Sequence, residues 1–219
     1  DAVLRNKFIV ITALLTALLL SGCAMNTVED MYAPPRRSEA YSRLQSAIDQ
    51  AMVDREYAAP LSGENQQTVQ MADINGDGVE EYILFAKASS DMPLQILVFR
   101  QEDDGDCSLI QVIQSTGSAF EQVEYVEFDD RPGCGLVVGI QVSDQVLRSV
   151  AVYSFHNGDA ELLLLNGYAK FISCDLDQNG LRELMVFRPG EAEMDRGMAV
   201  LYRCEADGIH RSAEMELSQ

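Results

Sequence analysis

Two stretches of this chain are built to one plan. VQMADINGDGVEEYILFA (69–86) aligns without a gap on FISCDLDQNGLRELMVFR (171–188). Asp73 meets Asp175, Asn75 meets Asp177, Asp77 meets Asn179, Gly78 meets Gly180 and Glu81 meets Glu183. Midway between them, YVEFDDRPGCGLVVGIQ (125–141) follows the same plan with an altered loop. Glu127 and Asp129 keep the first and third positions, but Arg131 and Pro132 replace the fifth-position acid and the glycine, and Gly135 replaces the last acid. A unit of about 50 residues that occurs three times restricts the chain to a repeat architecture.

Each unit divides into four apolar segments separated by Gly/Asp/Asn turns. They fall near 67–72, 81–87, 94–100 and 109–114; near 122–128, 135–142, 146–155 and 160–165; and near 169–174, 182–187, 197–204 and 209–216. Turns such as DDGD (103–106), HNGD (156–159) and EADG (205–208) suit antiparallel hairpins. Four antiparallel strands at this period are the pattern of a propeller blade. The expected fold is all-β: three four-stranded antiparallel blades of a partial β-propeller over 63–219 (63–118, 119–167 and 168–219). A signal helix and one short amphipathic helix precede them.

The loops carry the chemistry. Calcium takes six to eight hard oxygen ligands, mixing carboxylates with backbone carbonyls and water. Alternate positions of a tight loop aim side-chain oxygens at one point, and the glycine permits the turn. The first loop offers Asp73, Asn75, Asp77 and Glu81 with the Val79 carbonyl. The other offers Asp175, Asp177, Asn179 and Glu183 with the Leu181 carbonyl. An EF-hand needs an acid at position 12 and flanking helices, but position 12 is Leu84 or Val186, each inside a β-rich run. Asn-Gly and Asp-Gly also make ordinary turns. Two matched sets at the same point of a repeat favour two structural calcium sites.

The pattern D-x-[DN]-x-[DN]-G-x-x-[DE] followed by a hydrophobic strand resembles the FG-GAP/VCBS repeats of integrin-type β-propellers. The resemblance covers about residues 64–219 and implies calcium in the first and third loops. The middle loop departs at Arg131, Pro132 and Gly135, and a guanidinium at a ligand position repels the ion. Propellers close with about four to eight blades. With three blades and Asp as residue 1, the expectation is a C-terminally truncated copy, or a ring completed by other copies. For a truncated copy, the outer faces of the first and third blades would expose apolar surface.

The chain opens DAVLRNKFIVITALLTALLLSGCAMN. Arg5 and Lys7 precede an uncharged run, Phe8–Leu20, that falls short of the about 20 residues a bilayer requires. Leu20-Ser21-Gly22-Cys23 resembles the bacterial lipoprotein signal. That resemblance implies cleavage after residue 22 and diacylglycerol on Cys23, which would hold the protein on the extracytoplasmic face of the cell membrane. Residues 23–37, with Pro34-Pro35, read as a tether. Residues 38–62 read as a helix and linker, with Ser38 as N-cap and Tyr41, Leu44, Ile48, Ala51 and Met52 on one stripe laid against the main domain. The order of lipid signal, tether, helix and repeats is similar to VCBS-repeat lipoproteins of Gram-positive anaerobes.

A net charge of −19 argues against nucleic acid as partner. Five cysteines are present, and without a C-x-x-C pair a zinc knuckle is disfavoured. Beyond Cys23, the pairing of Cys107, Cys134, Cys174 and Cys204 stays open, with Cys174–Cys204 as one candidate. His156 and His210 are the two histidines, both at or near turns and expected on the surface. Acidic pairs such as Asp129–Asp130 read as solvated loop charges rather than a glycosidase couple. The expected function is a non-enzymatic, calcium-binding surface lipoprotein whose propeller binds a protein or glycan ligand, or scaffolds. The alternatives are a propeller enzyme or accessory acting on glycans, and a purely structural envelope component.

Overall fold

The structure is a computed structural model that describes residues 39–142, 147–188, 190, 196–205 and 208–217. The signal segment, Cys23, the tether and Ser38 lie outside these residues. What is described is one helix followed by antiparallel sheets. The helix α1 (Glu39–Ala51) is followed by a short strand, β1 (Arg55–Tyr57). The first sheet continues with β2 (Val69–Ala72), β3 (Glu81–Ala88), β4 (Leu94–Gln101) and β5 (Cys107–Ser115). The second holds β6 (Ala119–Val126), β7 (Gly135–Gln141), β8 (Arg148–Ser154) and β9 (Glu161–Gly167). The third holds β10 (Lys170–Cys174), β11 (Glu183–Arg188), β12 (Met198–Glu205) and β13 (Gly208–Glu216). The second and third are open meanders in chain order, and the first is a meander from β2 to β5 with β1 added beside β3.

The predicted strands are all present. β1 is the addition: it fell inside the expected linker. Its Arg55, Glu56 and Tyr57 pair with Ala88, Lys87 and Ala86, while β2 pairs with the other half of the same edge of β3. The two short strands thus share one edge position. Arg55 anchors the junction by donating to Gln95 Oε1 at 2.6 Å and to the last carbonyl of the helix, that of Ala51.

Side chains alternate across a strand, and this alternation sets a stacking order. Ile83 and Phe85 of β3 pack with Leu136, Val138 and Ile140 of β7. The intervening Val137 packs the other way, with Leu184 and Val186 of β11 and Val200 of β12. Each sheet therefore turns the same face toward its successor. Phe85 meets Phe120 edge-on with ring centroids 5.0 Å apart. In the second interface the Tyr168 ring lies so close over β7 that a Cβ on Gly139 would stand 2.4 Å from its hydroxyl. Only glycine fits there.

The opposite face of the first sheet was expected to be exposed, and it is covered. Leu84, Ala86, Leu97 and Phe99 pack against Ile48 and Ala51 of α1, with Leu44 and Met52 alongside. The helical stripe thus takes the place of a preceding sheet. Tyr41, at the start of that stripe, remains 49% exposed. On the third sheet, alternation leaves Met185, Phe187 and Leu201 on the face turned away from the second sheet, all half-buried, with Met215 65% exposed.

Ile48→Ala, which opens a cavity between helix and sheet, should lower stability by about 2–5 kcal/mol. Val53→Ala, at a residue 63% exposed just past the helix, should change it by less than about 0.5 kcal/mol. Urea melts of the two variants check this.

Candidate metal centre

The three loops, two intact and one altered, are the turns joining the first two strands of each repeat: β2 to β3, β6 to β7, and β10 to β11. In the first loop, Asp73 accepts the Gly76 N–H at 2.7 Å and the Gly78 N–H at 2.9 Å on its two oxygens. Asn75 Oδ1 accepts the Asp77 N–H, and Asp77 Oδ1 accepts the Val79 N–H. The third loop repeats the frame. Asp175 accepts the Asn179 and Gly180 N–H groups, and Asn179 Oδ1 accepts the Leu181 N–H. The loops also share backbone conformation, with left-handed residues at Gly76 (φ 81°) and Gly78 (87°), and at Gln178 (62°) and Gly180 (92°).

The difference between Gly76 and Gln178 has a local cause. A Cβ on Gly76 would sit 2.3 Å from the carbonyl carbon and oxygen of Pro132. The middle loop's Pro132-Gly133 backbone thus lies directly on the first loop, and Gly76 is the residue that admits it. Pro132 replaces a loop glycine in sequence, and in the structure it makes an inter-sheet contact.

At the ninth position Glu81 is fully buried and Glu183 nearly so, at 0% and 4% exposure. Both bridge back to the loop, Glu81 Oε2 accepting the Ile74 N–H at 3.3 Å and Glu183 Oε2 the Leu176 N–H at 2.9 Å. A buried carboxylate needs a cation or a full set of donors. Two arginines answer that need, and the sequence reading missed both. Arg100, near the end of β4, lies 3.1 Å from Glu81. Arg203, near the end of β12, lies 3.2 Å from Glu183 and 2.9 Å from Asp177. The signal is visible in the sequence: VFRQEDDG (98–105) and LYRCEADG (201–208) carry the arginine at the same step. The middle unit has Ser154 there, just as it has Gly135 in place of the glutamate. Acid and arginine are present or absent together.

The seating differs between the two loops. In the first, Asn75 Nδ2 donates to both Glu81 Oε1 (2.7 Å) and Asp77 Oδ2 (3.0 Å). With Arg100 Nε also on Glu81 Oε1, every carboxylate oxygen of Asp73, Asp77 and Glu81 accepts a hydrogen bond from the protein. Burial is the main influence on Glu81 and pushes its pKa up, against the pull of Arg100. The Val79 N–H and Asn75 hold Asp77 low. In the third loop, Asp175, Asp177 and Glu183 each bring a ligand oxygen within 4.8 Å of the others. This is the one such acidic, histidine or cysteine trio among the described residues. Arg203 Nε is buried beside it without a partner. A cavity of about 70 Å³ opens there, lined by Asp177, Asn179, Leu181 and Glu183 and by the two arginines Arg182 and Arg203. The three carboxylates and the Asn179 amide are hard oxygen donors of the kind calcium takes. Val79 and Leu181, the expected carbonyl donors, occupy matching positions and use their N–H groups to close the turn.

The middle loop is closed by its own cation. Arg131 pairs with Asp129, and His156 Nε2 lies 3.7 Å from the same carboxylate. Burial raises the Asp129 pKa, but the hydrogen bonds and charge of Arg131 outweigh it and leave the group low. The His156 side chain is only 16% exposed, so it is not the solvated turn residue the sequence suggested. Cys204 Sγ stands 3.5 Å from Asp129, and burial followed by that charge pushes the thiol up to about 11. Burial lifts Cys134 to about 12. Cys107, Cys134, Cys174 and Cys204 are all free thiols, so the candidate Cys174–Cys204 bridge is absent.

No protein-family model and no curated protein matches this chain.

Gly76→Ala should destabilise the protein by more than about 2 kcal/mol, because strain at positive φ adds to a collision with backbone. Gln178→Gly should leave stability unchanged or raise it by about 1 kcal/mol, by relieving left-handed strain. Thermal melts of both variants measure the asymmetry.

Proposed function

We propose that this chain is a calcium-stabilised, non-enzymatic binding or scaffolding module of the bacterial cell envelope, related in design to FG-GAP/VCBS propeller lipoproteins. Lipid on Cys23 would hold it at the outer face of the membrane, with residues 23–37 as tether. The observation that carries the reading is the convergence of Asp175, Asp177 and Glu183 on one point. It lies at the root of a hairpin repeated in register at Asp73, Asn75, Asp77 and Glu81. Calcium would neutralise the cluster and pin the turn to β11, and millimolar calcium outside the cell would fill even a weak site.

The sheets' common stacking sense supports their reading as propeller blades. Support for a bound ligand comes from the edge strands. A polar cavity of about 320 Å³ lies where residues 63–65, β6 and β10 meet, lined by Gln122, Glu124, Ser173 and Arg182 among others. Its size is that of a small-molecule site. Glu124 accepts from Gln122 and from the Ser173 hydroxyl, while Arg182 donates to the Ser173 carbonyl at 2.9 Å. Donors and acceptors side by side suit the hydroxyls of a glycan.

Melting residues 24–219 by circular dichroism in excess calcium and again in EDTA tests the reading. Calcium should raise the midpoint by several degrees, about 1 kcal/mol or more for a chain of this size. Asp175→Ala should remove most of that rise. A cooperative melt that ignores calcium contradicts the metal role.

A further inference from the structure

The two arginines that answer the buried glutamates are seated unequally. Arg100 Nε donates to Glu81 Oε1 at 3.1 Å, and Asn75 with the loop N–H groups supplies the remaining donors, so the first loop is complete without any other cation. Arg203 reaches Asp177 and Glu183 through Nη2 alone, at 2.9 and 3.2 Å, while its Nε is buried without a partner. An orphaned, buried N–H on a charged group is costly. Arg203 is also 41% exposed at its side chain, so it has solvent to swing into. Its guanidinium bridges two of the three acids whose oxygens converge, where a bound ion would be the largest local charge.

We propose that Arg203 is the resident counter-ion of the third loop, displaced when a divalent cation enters, and that Arg100 permanently closes the first loop against one. The loops, twins in sequence, then divide their work. The first is a metal-independent turn that carries the contact with Pro132. The third is a cation site whose affinity is set by competition with its own arginine. This rests on the calcium reading above and adds the residue that tunes it. Arg203 acts as a gate: its charge lowers affinity for the ion, and it keeps Asp177 and Glu183 from repelling each other when the ion is gone.

Isothermal titration with calcium chloride, on wild type and the Arg203→Gln, Arg100→Gln and Asp175→Asn variants, tests the proposal. The expected result is one calcium per wild-type chain. Affinity should tighten about tenfold or more in Arg203→Gln, stay unchanged in Arg100→Gln and be lost in Asp175→Asn. In EDTA, Arg203→Gln should melt below wild type, and calcium should close the gap. Should Arg203→Gln fail to fold, the Arg203 Nε–H resonance of the ¹⁵N-labelled wild type supplies the readout. It should shift and gain fast solvent exchange as calcium is added, while that of Arg100 stays in place. Calcium binding that is unchanged or weaker in Arg203→Gln, or an unmoved Arg203 resonance at saturation, overturns the gate and leaves the calcium reading standing. Two ions per chain overturns the division between the loops. Absence of binding in both wild type and Arg203→Gln overturns the calcium reading itself.

Discussion

A glutamate buried at the root of a β-hairpin sets the terms for much of this molecule. Glu81 and Glu183 are withdrawn from water as the first inward residues of β3 and β11, and a buried carboxylate left alone is severely unfavourable. Each is therefore tied to a loop N–H seven residues back and to an arginine on the next strand of the meander. That arrangement joins loop, second strand and third strand into one unit. Where the middle repeat lacks the acid, at Gly135, it also lacks the arginine, at Ser154. Its loop instead uses an Arg131–Asp129 pair, with His156 close by.

The loops are coupled because the sheets stack in one sense. Pro132 of the middle loop rests on Gly76 of the first, and Asp129 of the middle loop reaches Cys204 beside the third. The stacking also explains the helix. Its stripe of Leu44, Ile48, Ala51 and Met52 fills the position that a preceding sheet would hold. The amphipathic helix and the repeats are one packing solution and not two modules.

Much of this was legible in the sequence because turns and alternation are local. Gly/Asp/Asn punctuation and period-two apolar runs locate every strand from β2 to β13 within a few residues, and the helical stripe locates α1. Less was legible where the cause is long-range. β1 is three residues, too short to show alternation, and exists because β3 offers an unpaired half-edge. Arg100 and Arg203 look like surface charges until β4 and β12 bring them over the loops. His156 sits in an HNGD turn that reads as solvated, yet its side chain is largely buried beside Asp129. The left-handed Gln178 is signalled only by alignment with Gly76, since glutamine rarely adopts that conformation.

Exchange of a guanidinium for a divalent cation at Asp175, Asp177 and Glu183 is the step on which the third loop's proposed role rests. Anomalous diffraction from crystals grown in calcium measures this most directly. One strong peak is expected among those three carboxylates, with Arg203 turned out to solvent and Arg100 still on Glu81. A map without a peak at the third loop, and with Arg203 still bridging Asp177 and Glu183, would contradict it.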